Sequence, residues 1–362
     1  MKLTCSRDEL VVALARACRA ASARPAVRIL GAVRLAAGDG ALAVTATDLE
    51  LTVATSLPAR IGDDGVAVVP ARPLLAIAQA VDGESVELSA AGTVLELRAG
   101  DSSFTLNTLP PDDFPAAPVL RDATELELDA ELLADTVGRV LRVASTDLSR
   151  PVYTGVRLTS AGSELTLVAT DGYRLATVKA RLEEAVDFDV LVPARILAEV
   201  MRLAGGARRV AVQLTPNLVG FAVPGCSLVG RTLDGRPQEH ERILSAPFEH
   251  RAGVPRASLL RAVDRAALLA DRGGAVELSF CDDEIRVRAR SVELGHAEER
   301  VTLREHGPTL RLGFNSRYLR DGLDLVDGDE VWFEMNDGLR PIVLHGATAD
   351  FAYLVAPLRL PD

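Results

Sequence analysis

Val168-Ala169-Thr170-Asp171-Gly172-Tyr173-Arg174-Leu175-Ala176 breaks an alternating apolar run with an Asp-Gly pair and then resumes it. Taken locally this is a β-hairpin, because Gly accepts positive φ and Asp-Gly suits tight turns. A second copy widens the reading. Ala46-Thr47-Asp48-Leu49-Glu50-Leu51 also follows an alternating run, Ala41-Leu42-Ala43-Val44-Thr45, and the two Ala-Thr-Asp triplets lie 123 residues apart. A period of that size is a whole domain, larger than a solenoid unit.

The recurrence extends on both sides. Val69-Pro70-Ala71-Arg72 and Val192-Pro193-Ala194-Arg195 stand at the same offset of 123, and Phe314-Asn315-Ser316-Arg317 follows 122 residues later. Helical periodicity predicts helices over 7–24, 73–81, 129–145, 195–203, 255–270 and 316–325. Alternation predicts strands over 29–35, 41–46, 49–57, 66–70, 85–89 and 94–99 in the first copy. The second copy has them at 153–158, 164–169, 210–214 and 218–223, and the third at 276–280, 284–289, 330–335, 341–345 and 352–356. The Pro-rich stretch 110–118 reads as a linker. The chain is therefore expected to be α+β, three tandem repeats of one domain, with boundaries at 1–118, 119–246 and 247–362.

Composition narrows the function. The 362 residues suffice for two or three cores. A hydrophobic share of 48% with 25% charged is ordinary for a soluble globular protein, and 4% aromatics leaves cores to be built from Val, Leu and Ala. No apolar run approaches the ~20 residues of a membrane span. The N-terminus lacks the apolar core of a signal peptide, so a cytoplasmic location without membrane association is expected. Cys5, Cys18, Cys226 and Cys281 show no CxxC pairing and read as free thiols. The five histidines are equally scattered. No nucleophile elbow, HExxH, phosphate loop or GxGxxG is present. Asp48 and Asp171 occupy equivalent positions of different repeats, which argues against a shared carboxylate site. No catalytic residue, metal or cofactor is expected, and the chain is not read as an enzyme.

Charge distribution points to a partner. The net charge is −11, yet the six helical stretches, taken to their flanking residues, together carry +5, leaving −16 for strands and loops. The ordinary explanation is that any surface helix carries Arg. The functional one sets Arg16, Arg19, Arg139, Arg142, Arg202, Arg261, Arg265 and Arg320 on a surface facing a polyanion, with Arg24 and Arg150 counted among them. The pairs 139/142 and 261/265 share a helix face.

Several stretches together resemble a known family, the bacterial sliding clamp or β subunit of DNA polymerase III. The carriers are the two Ala-Thr-Asp segments, Arg24-Pro25 with Ile29-Leu30-Gly31, and Thr108-Leu109-Pro110 with Asp113-Phe114-Pro115. Arg265-Ala266-Ala267-Leu268-Leu269, Gly313-Phe314-Asn315 and Pro357-Leu358-Arg359-Leu360 complete the set, which runs the length of the chain in order. The resemblance implies a head-to-tail dimer of three-domain subunits, a six-domain ring with helices lining the hole and sheets on the rim. Such a ring encircles duplex DNA without sequence specificity and acts as a processivity factor, associating with the nucleoid during replication. A modestly basic lining holds phosphates loosely, and no base is read. By resemblance, Phe104 and Leu106 of one subunit meet Leu268 and Leu269 of the other. Leu268 and Leu269 also admit the plainer reading of core packing for their helix.

The family's other site is an apolar cleft between the second and third domains. It takes short Gln-and-apolar peptides from the replicative polymerase α subunit, the clamp loader and other clamp-motif proteins, and it is a target for cleft-binding antibiotics. Matching positions are Thr170, Gly172, Tyr173, Arg174, Leu175, Arg242, Ile243, Leu354, Pro357, Leu358 and Arg359. Departures gather there. Tyr153 stands where Leu is usual, Arg236-Pro237-Gln238-Glu239-His240 replaces a Phe-Pro-Asp-Tyr-like turn, and Ala356 and Leu358 replace two methionines. Pro361-Asp362 extends the usual end. Met fills gaps flexibly, so Ala356 is expected to loosen the cleft while Tyr153 narrows it elsewhere. The housekeeping clamp is the leading reading. The alternative is a divergent clamp paralogue with an altered partner cleft, acting as an accessory or antibiotic-resistance factor.

Overall fold

The computed structural model describes residues 1–235, 244, 247–271, 274–303, 308–336 and 340–360. It divides into two compact units, one of residues 1–133 and 195–232, the other of residues 134–194 and 233–362. Six α-helices and 24 strands recur through the described residues in a threefold pattern, and every strand pairing is antiparallel.

The first unit opens with β1 (Lys2–Ser6) and α1 (Arg7–Ala17), then β2 (Ala32–Gly38), β3 (Ala41–Thr47), β4 (Leu51–Asp63), β5 (Gly65–Pro70) and α2 (Ala71–Ala80). β6 (Ser85–Ala91), β7 (Val94–Ala99), β8 (Ser102–Asn107) and β9 (Thr124–Asp129) follow. After α3 (Ala130–Leu141), which continues into the second unit, the first unit also takes α4 (Ala194–Leu203, from Arg195 on), β14 (Arg209–Leu214), β15 (Leu218–Val223) and β16 (Cys226–Arg231). One 12-stranded sheet runs β8-β7-β6-β1-β4-β16-β15-β14-β9, with β3, β2 and β5 branching from β4. β4 makes this possible by its length: its N-terminal half pairs with β16 and its C-terminal half with β1.

The second unit holds β10 (Gly155–Ala161), β11 (Glu164–Thr170), β12 (Arg174–Arg181) and β13 (Phe188–Pro193). It continues with β17 (His250–Pro255), α5 (Arg256–Ala267), β18 (Ala275–Cys281), β19 (Glu284–Ser291), β20 (Gly295–Thr302) and β21 (Leu310–Asn315). α6 (Ser316–Leu325), β22 (Glu330–Met335), β23 (Ile342–His345) and β24 (Phe351–Val355) close it. An eight-stranded sheet runs β13-β10-β11-β12-β24-β23-β22-β17 and a four-stranded one β20-β19-β18-β21.

The strand-to-helix junctions explain the repeat. α1, α3 and α6 each begin on a capping side chain that ends the preceding strand. Glu9 N–H donates to Ser6 Oγ, Glu131 N–H to Asp129 Oδ1 and Arg317 N–H to Asn315 Oδ1, which satisfies amides that a helix start leaves open. α2, α4 and α5 instead follow Pro70, Pro193 and Pro255, where a strand must stop.

Several boundaries differ from expectation. α1 ends at Ala17 and not at residue 24, because Ser22 N–H turns back to donate to Leu30 O at 2.8 Å. The expected strand over 29–35 begins only at Ala32, since Arg28–Gly31 forms a 3-10 turn. α3 and α5 stop at Leu141 and Ala267, shorter than their apolar periodicity suggested. The stretch 110–118 is anchored: Phe114 is buried against Ile29, Ala32 and Val68.

The cores are unequal. In the first unit the largest fully buried side chains are all Leu, including Leu3, Leu10, Leu14, Leu35, Leu42, Leu51 and Leu74. In the second they are aromatic: Tyr353, Phe280, Phe314, Phe333 and Phe351. Phe280 and Phe333 meet edge to face, ring centres 5.6 Å apart. Gly322 on α6 admits Tyr353 so closely that a Cβ there would stand 2.5 Å from its ring. The expectation of cores built from Val, Leu and Ala therefore describes the first unit better than the second, although Phe114 and Phe221 are buried in the first as well.

Candidate functional site

The two Ala-Thr-Asp segments fold into the same turn. Asp171 Oδ1 accepts the N–H groups of Tyr173 and Arg174 at 2.9 and 3.1 Å, and Thr170 Oγ1 accepts that of Gly172 at 3.0 Å. In the first copy Asp48 Oδ1 accepts from Glu50 and Leu51, and Thr47 Oγ1 from Leu49. Both turns need a left-handed residue at the equivalent place: Gly172 at φ 94° and Leu49 at φ 78°. Asp side chains that bond the backbone two residues on are the device. The carboxylates themselves stand apart in role, Asp48 pairing with Arg195 and Asp171 with Arg174.

From the second turn, β12 leaves with Arg174 as its first residue. The Arg174 side chain is 4% exposed and is held from several sides. Nε donates to Asp171 Oδ2 at 2.9 Å, Nη1 to Asp321 on α6, and Nη2 to Arg142 O at 3.1 Å, while the guanidinium lies 4.4 Å from the centre of the Tyr318 ring. Burial alone pulls its pKa down, but the Tyr353 phenol, Asp321 and Asp171 more than offset this and hold it firmly protonated. A buried charge with this many partners rigidifies what it joins.

Beside this polar knot lies an apolar patch. Leu175 pairs across strands with Leu354 on β24, and both are buried with Val168 and Val343. Leu244, Phe248 and Ala352 pack on that cluster half-buried. Thr170 is buried and Tyr173 is 61% exposed. Ala356 N–H donates to Tyr173 O at 2.8 Å, tying the turn to the segment after β24. Pro357 is half-buried, Arg359 is exposed, and Leu358, 37% exposed, donates its N–H to Gly313 O. Tyr153 sits half-buried with Arg150 stacked 4.1 Å over its ring. The structure thus brings together Thr170, Gly172, Tyr173, Arg174, Leu175, Leu354 and Ala356, while Leu358 docks on Gly313. Arg242 and Ile243, the turn 236–240 and residues 361–362 lie outside the described residues.

Sequence reading missed several members. Asp321, Tyr318 and Tyr353 hold Arg174, and Val168, Val343, Leu244 and Phe248 supply the apolar patch. Tyr318 and Asp321, three apart on α6, carried a face signal; the others carried none.

The arginines expected to face a polyanion are mostly ion-paired. Arg19 and Arg202 share Glu199. Arg139 meets Asp135 and Asp350, Arg142 meets Asp324 at 3.6 Å, Arg320 meets Asp264, and Arg265 forks onto Glu299 at 2.9 and 2.6 Å. Arg261 donates to Ser258 Oγ, Arg16 is half-buried and Arg24 is exposed. Arg150 belongs to the turn at Gly172: its Nη2 lies 3.0 Å from where a Cβ would be.

The residues expected at a subunit contact sit on one sheet edge and at one helix end. Phe104, 37% exposed, and the half-buried Leu106 lie on β8, the edge of the 12-stranded sheet. Leu268, 76% exposed, caps α5, the helix that packs on the edge strand β20, with Leu269 half-buried next to it. The core of that helix is Leu259, Ala262, Val263 and Ala266, so Leu268 is not a core residue. Among the described residues, no three metal-ligating side chains cluster and no helix is long and apolar enough to cross a membrane.

Comparison with known proteins agrees with the repeat. Models of the DNA polymerase III β subunit match in chain order: its N-terminal domain over residues 1–118, its central domain over 127–237 and its C-terminal domain over 241–359. The β sliding clamp of Streptomyces coelicolor is 32% identical over 376 aligned residues, covering 99% of this chain and all of that relative. The crystal structure of the Bacillus subtilis DNA polymerase sliding clamp superposes with a TM-score of 0.95 at 26% identity, covering 100% of both chains. A Pseudomonas aeruginosa sliding clamp bound to griselimycin superposes with a TM-score of 0.94 at 26% identity, over 99% of this chain and 100% of that one.

Proposed function

The chain belongs to the family of the DNA polymerase III β subunit, the bacterial sliding clamps, and from that premise we propose how its residues divide the work. It is a clamp of DNA replication that holds the polymerase on its template. It works by binding, without a reaction of its own, in the cytoplasm and at the nucleoid during replication. Two subunits, each with domains over 1–118, 119–246 and 247–362, join head to tail and close a ring around duplex DNA.

One observation supports the ring. A single chain exposes Phe104 on the edge strand β8 and Leu268 at the C-terminal cap of α5, the helix that packs on the edge strand β20. Unlike edges that complete each other make a heterologous contact, and two such contacts related by a twofold close. The arginines around the helices then meet phosphates, and their carboxylate partners keep that contact weak enough to slide. Base readout plays no part.

The patch at Leu175 and Leu354, with the turn at Tyr173 and the segment through Leu358, takes the clamp-binding peptides of the polymerase α subunit, the clamp loader and other partners. Each apolar peptide side chain buried there contributes roughly 1.5–3 kcal/mol. A few such anchors with fixed polar groups suit micromolar binding, about −8 kcal/mol. A labelled Gln-and-apolar clamp peptide titrated into the protein tests this. We expect micromolar or tighter binding, weakened at least tenfold by Leu358→Ala. A folded dimer that fails to bind the peptide removes the cleft assignment.

The Arg150–Tyr153 stack favours a second reading of the same cleft. It stands beside the turn where family members carry Leu, and it fits an altered partner or inhibitor spectrum, as in a paralogue that resists cleft-binding antibiotics. If so, Tyr153→Leu restores ordinary affinity for a cleft-binding antibiotic. Equal affinity before and after the change leaves the housekeeping role alone.

A further inference from the structure

Two of the arginines assigned to the DNA-facing surface meet on one carboxylate. Arg19 lies in the turn after α1 and Arg202 in the last turn of α4. Glu199 Oε1 accepts Nη2 of Arg19 and Nη1 of Arg202, each at 3.0 Å, and Oε2 accepts Nε of Arg19. The Glu199 side chain is 11% exposed, whereas Arg19 and Arg202 keep 43% and 55%. The negative charge is thus inside and the two guanidinium groups outside. Three N–H groups from two cations make so buried a carboxylate tolerable. The remaining donors of each fork stay free of Glu199, and the trio carries +1 where two arginines alone would carry +2.

This arrangement has a defined effect on a polyanion. Binding to duplex DNA gains from counterions released per phosphate neutralised, so a fixed carboxylate behind two arginines cancels part of that gain. It also ties both forks to one oxygen, Oε1, while Arg19 alone reaches both oxygens.

We propose that Glu199 is a positioning residue that sets the grip on DNA, presenting Arg19 and Arg202 as one preorganised, singly charged phosphate contact. The proposal rests on the reading of those arginines as DNA-facing. It makes Glu199 the element that trades hold for mobility, and it does so without touching DNA.

The test is charge arithmetic on the full-length dimer, using a short fluorescent duplex and anisotropy over a range of salt. Glu199→Gln raises the cluster to +2 and steepens the slope of log K against log salt by about 0.9. Arg19→Gln lowers it to zero and flattens the slope by about the same amount. The double variant Arg19→Gln/Glu199→Gln returns to +1 and to the starting slope. A purely structural strut predicts no such restoration, so a double variant that binds no better than Arg19→Gln overturns the proposal. So does an unchanged slope in Glu199→Gln. If Arg19→Gln and Arg202→Gln both leave the slope untouched, the DNA-facing assignment itself falls. Thermal melting of each variant controls for folding. Should Glu199→Gln not fold, Arg19→Gln and the double variant decide.

Discussion

Gly172 and Leu49 occupy the same place in two copies of one turn, and they pay differently for it. At φ 94° and with Arg150 Nη2 at 3.0 Å from the missing Cβ, Gly172 leaves little room for a side chain. Gly172→Ala is expected to lower stability by about 1–2 kcal/mol and to push Arg150 off Tyr153, readable by urea denaturation and peptide binding. Leu49 already bears that conformational cost at φ 78°. Leu49→Gly relieves it against the added freedom of Gly in the unfolded chain, for a net gain of roughly 0.5 kcal/mol in the same assay. The Asp-Gly pair announced the second turn. Nothing in Leu49 announced the first beyond its place in the repeat, because Leu rarely adopts that conformation. Arg174 is a further residue-scale test. Arg174→Met strands Asp171 and Asp321, whose side chains are 12% and 18% exposed, and should cost about 3–5 kcal/mol in the same denaturation assay. The thiols add a pH signature. Burial pushes Cys5 from the ordinary 9.0 up to about 11, with the Glu9 charge adding to it, and burial does the same for Cys18 against the opposing charge of Arg72. A raised folded pKa contributes stability that is complete below the unfolded value and lost as pH rises through the folded one. Wild type should therefore lose more stability between about pH 9 and 11 than Cys5→Ala/Cys18→Ala does. Equal losses would remove the thiols from the account.

Among the elements, the edges of the sheets carry the proposed subunit contact. β21 is blunted by Leu358, whose N–H donates to Gly313 O, and β13 by Leu233, whose N–H donates to Leu191 O. β8 ends its sheet with Phe104 exposed, and α5, which packs on the edge strand β20, ends on the exposed Leu268. Exposed edges are templates for pairing, and Leu268→Asp, at a site 76% exposed, should leave the subunit folded while shifting sedimentation toward monomer. An unchanged dimer would move the contact elsewhere. Legibility varied by element for the same physical reason. α6 and β15 match their sequence spans at both ends, since Asn315 caps the helix and Leu218–Val223 is a short apolar run set off by Thr215-Pro216-Asn217 before it and Pro224-Gly225 after it. β20 was not foreseen: Gly-His-Ala-Glu-Glu-Arg-Val-Thr buries only Val301, so an edge strand with one wet face leaves almost no hydrophobic signal. β1 was missed because five residues before a helix are too few for periodicity to speak. Of the candidate cleft, the turn and its strand were legible through the repeat. The ligands of Arg174 were not: Tyr318 and Asp321 share a face of α6, but nothing in the sequence tied that face, or Tyr353, to an arginine so far back in the chain.

Across the whole molecule, one unit recurs three times and has diverged in what fills it. The repeat and the family match along the chain converge on a clamp. The unequal cores have a separate, optical consequence. The only Trp, Trp332, lies on β22 with the Arg251 guanidinium 4.2 Å over its ring. All four tyrosines, Tyr153, Tyr173, Tyr318 and Tyr353, fall in the same unit. Residues 1–133 and 195–232 therefore contain neither Tyr nor Trp and are dark in intrinsic fluorescence. Far-ultraviolet circular dichroism sees the backbone of both units, while Trp emission sees one. If the units melt apart, the two signals will trace different transitions from a single sample, and coincident curves will mean that the chain unfolds as one cooperative body. The amino acids that fill each core have thus equipped this protein with a built-in reporter on one half and silence on the other.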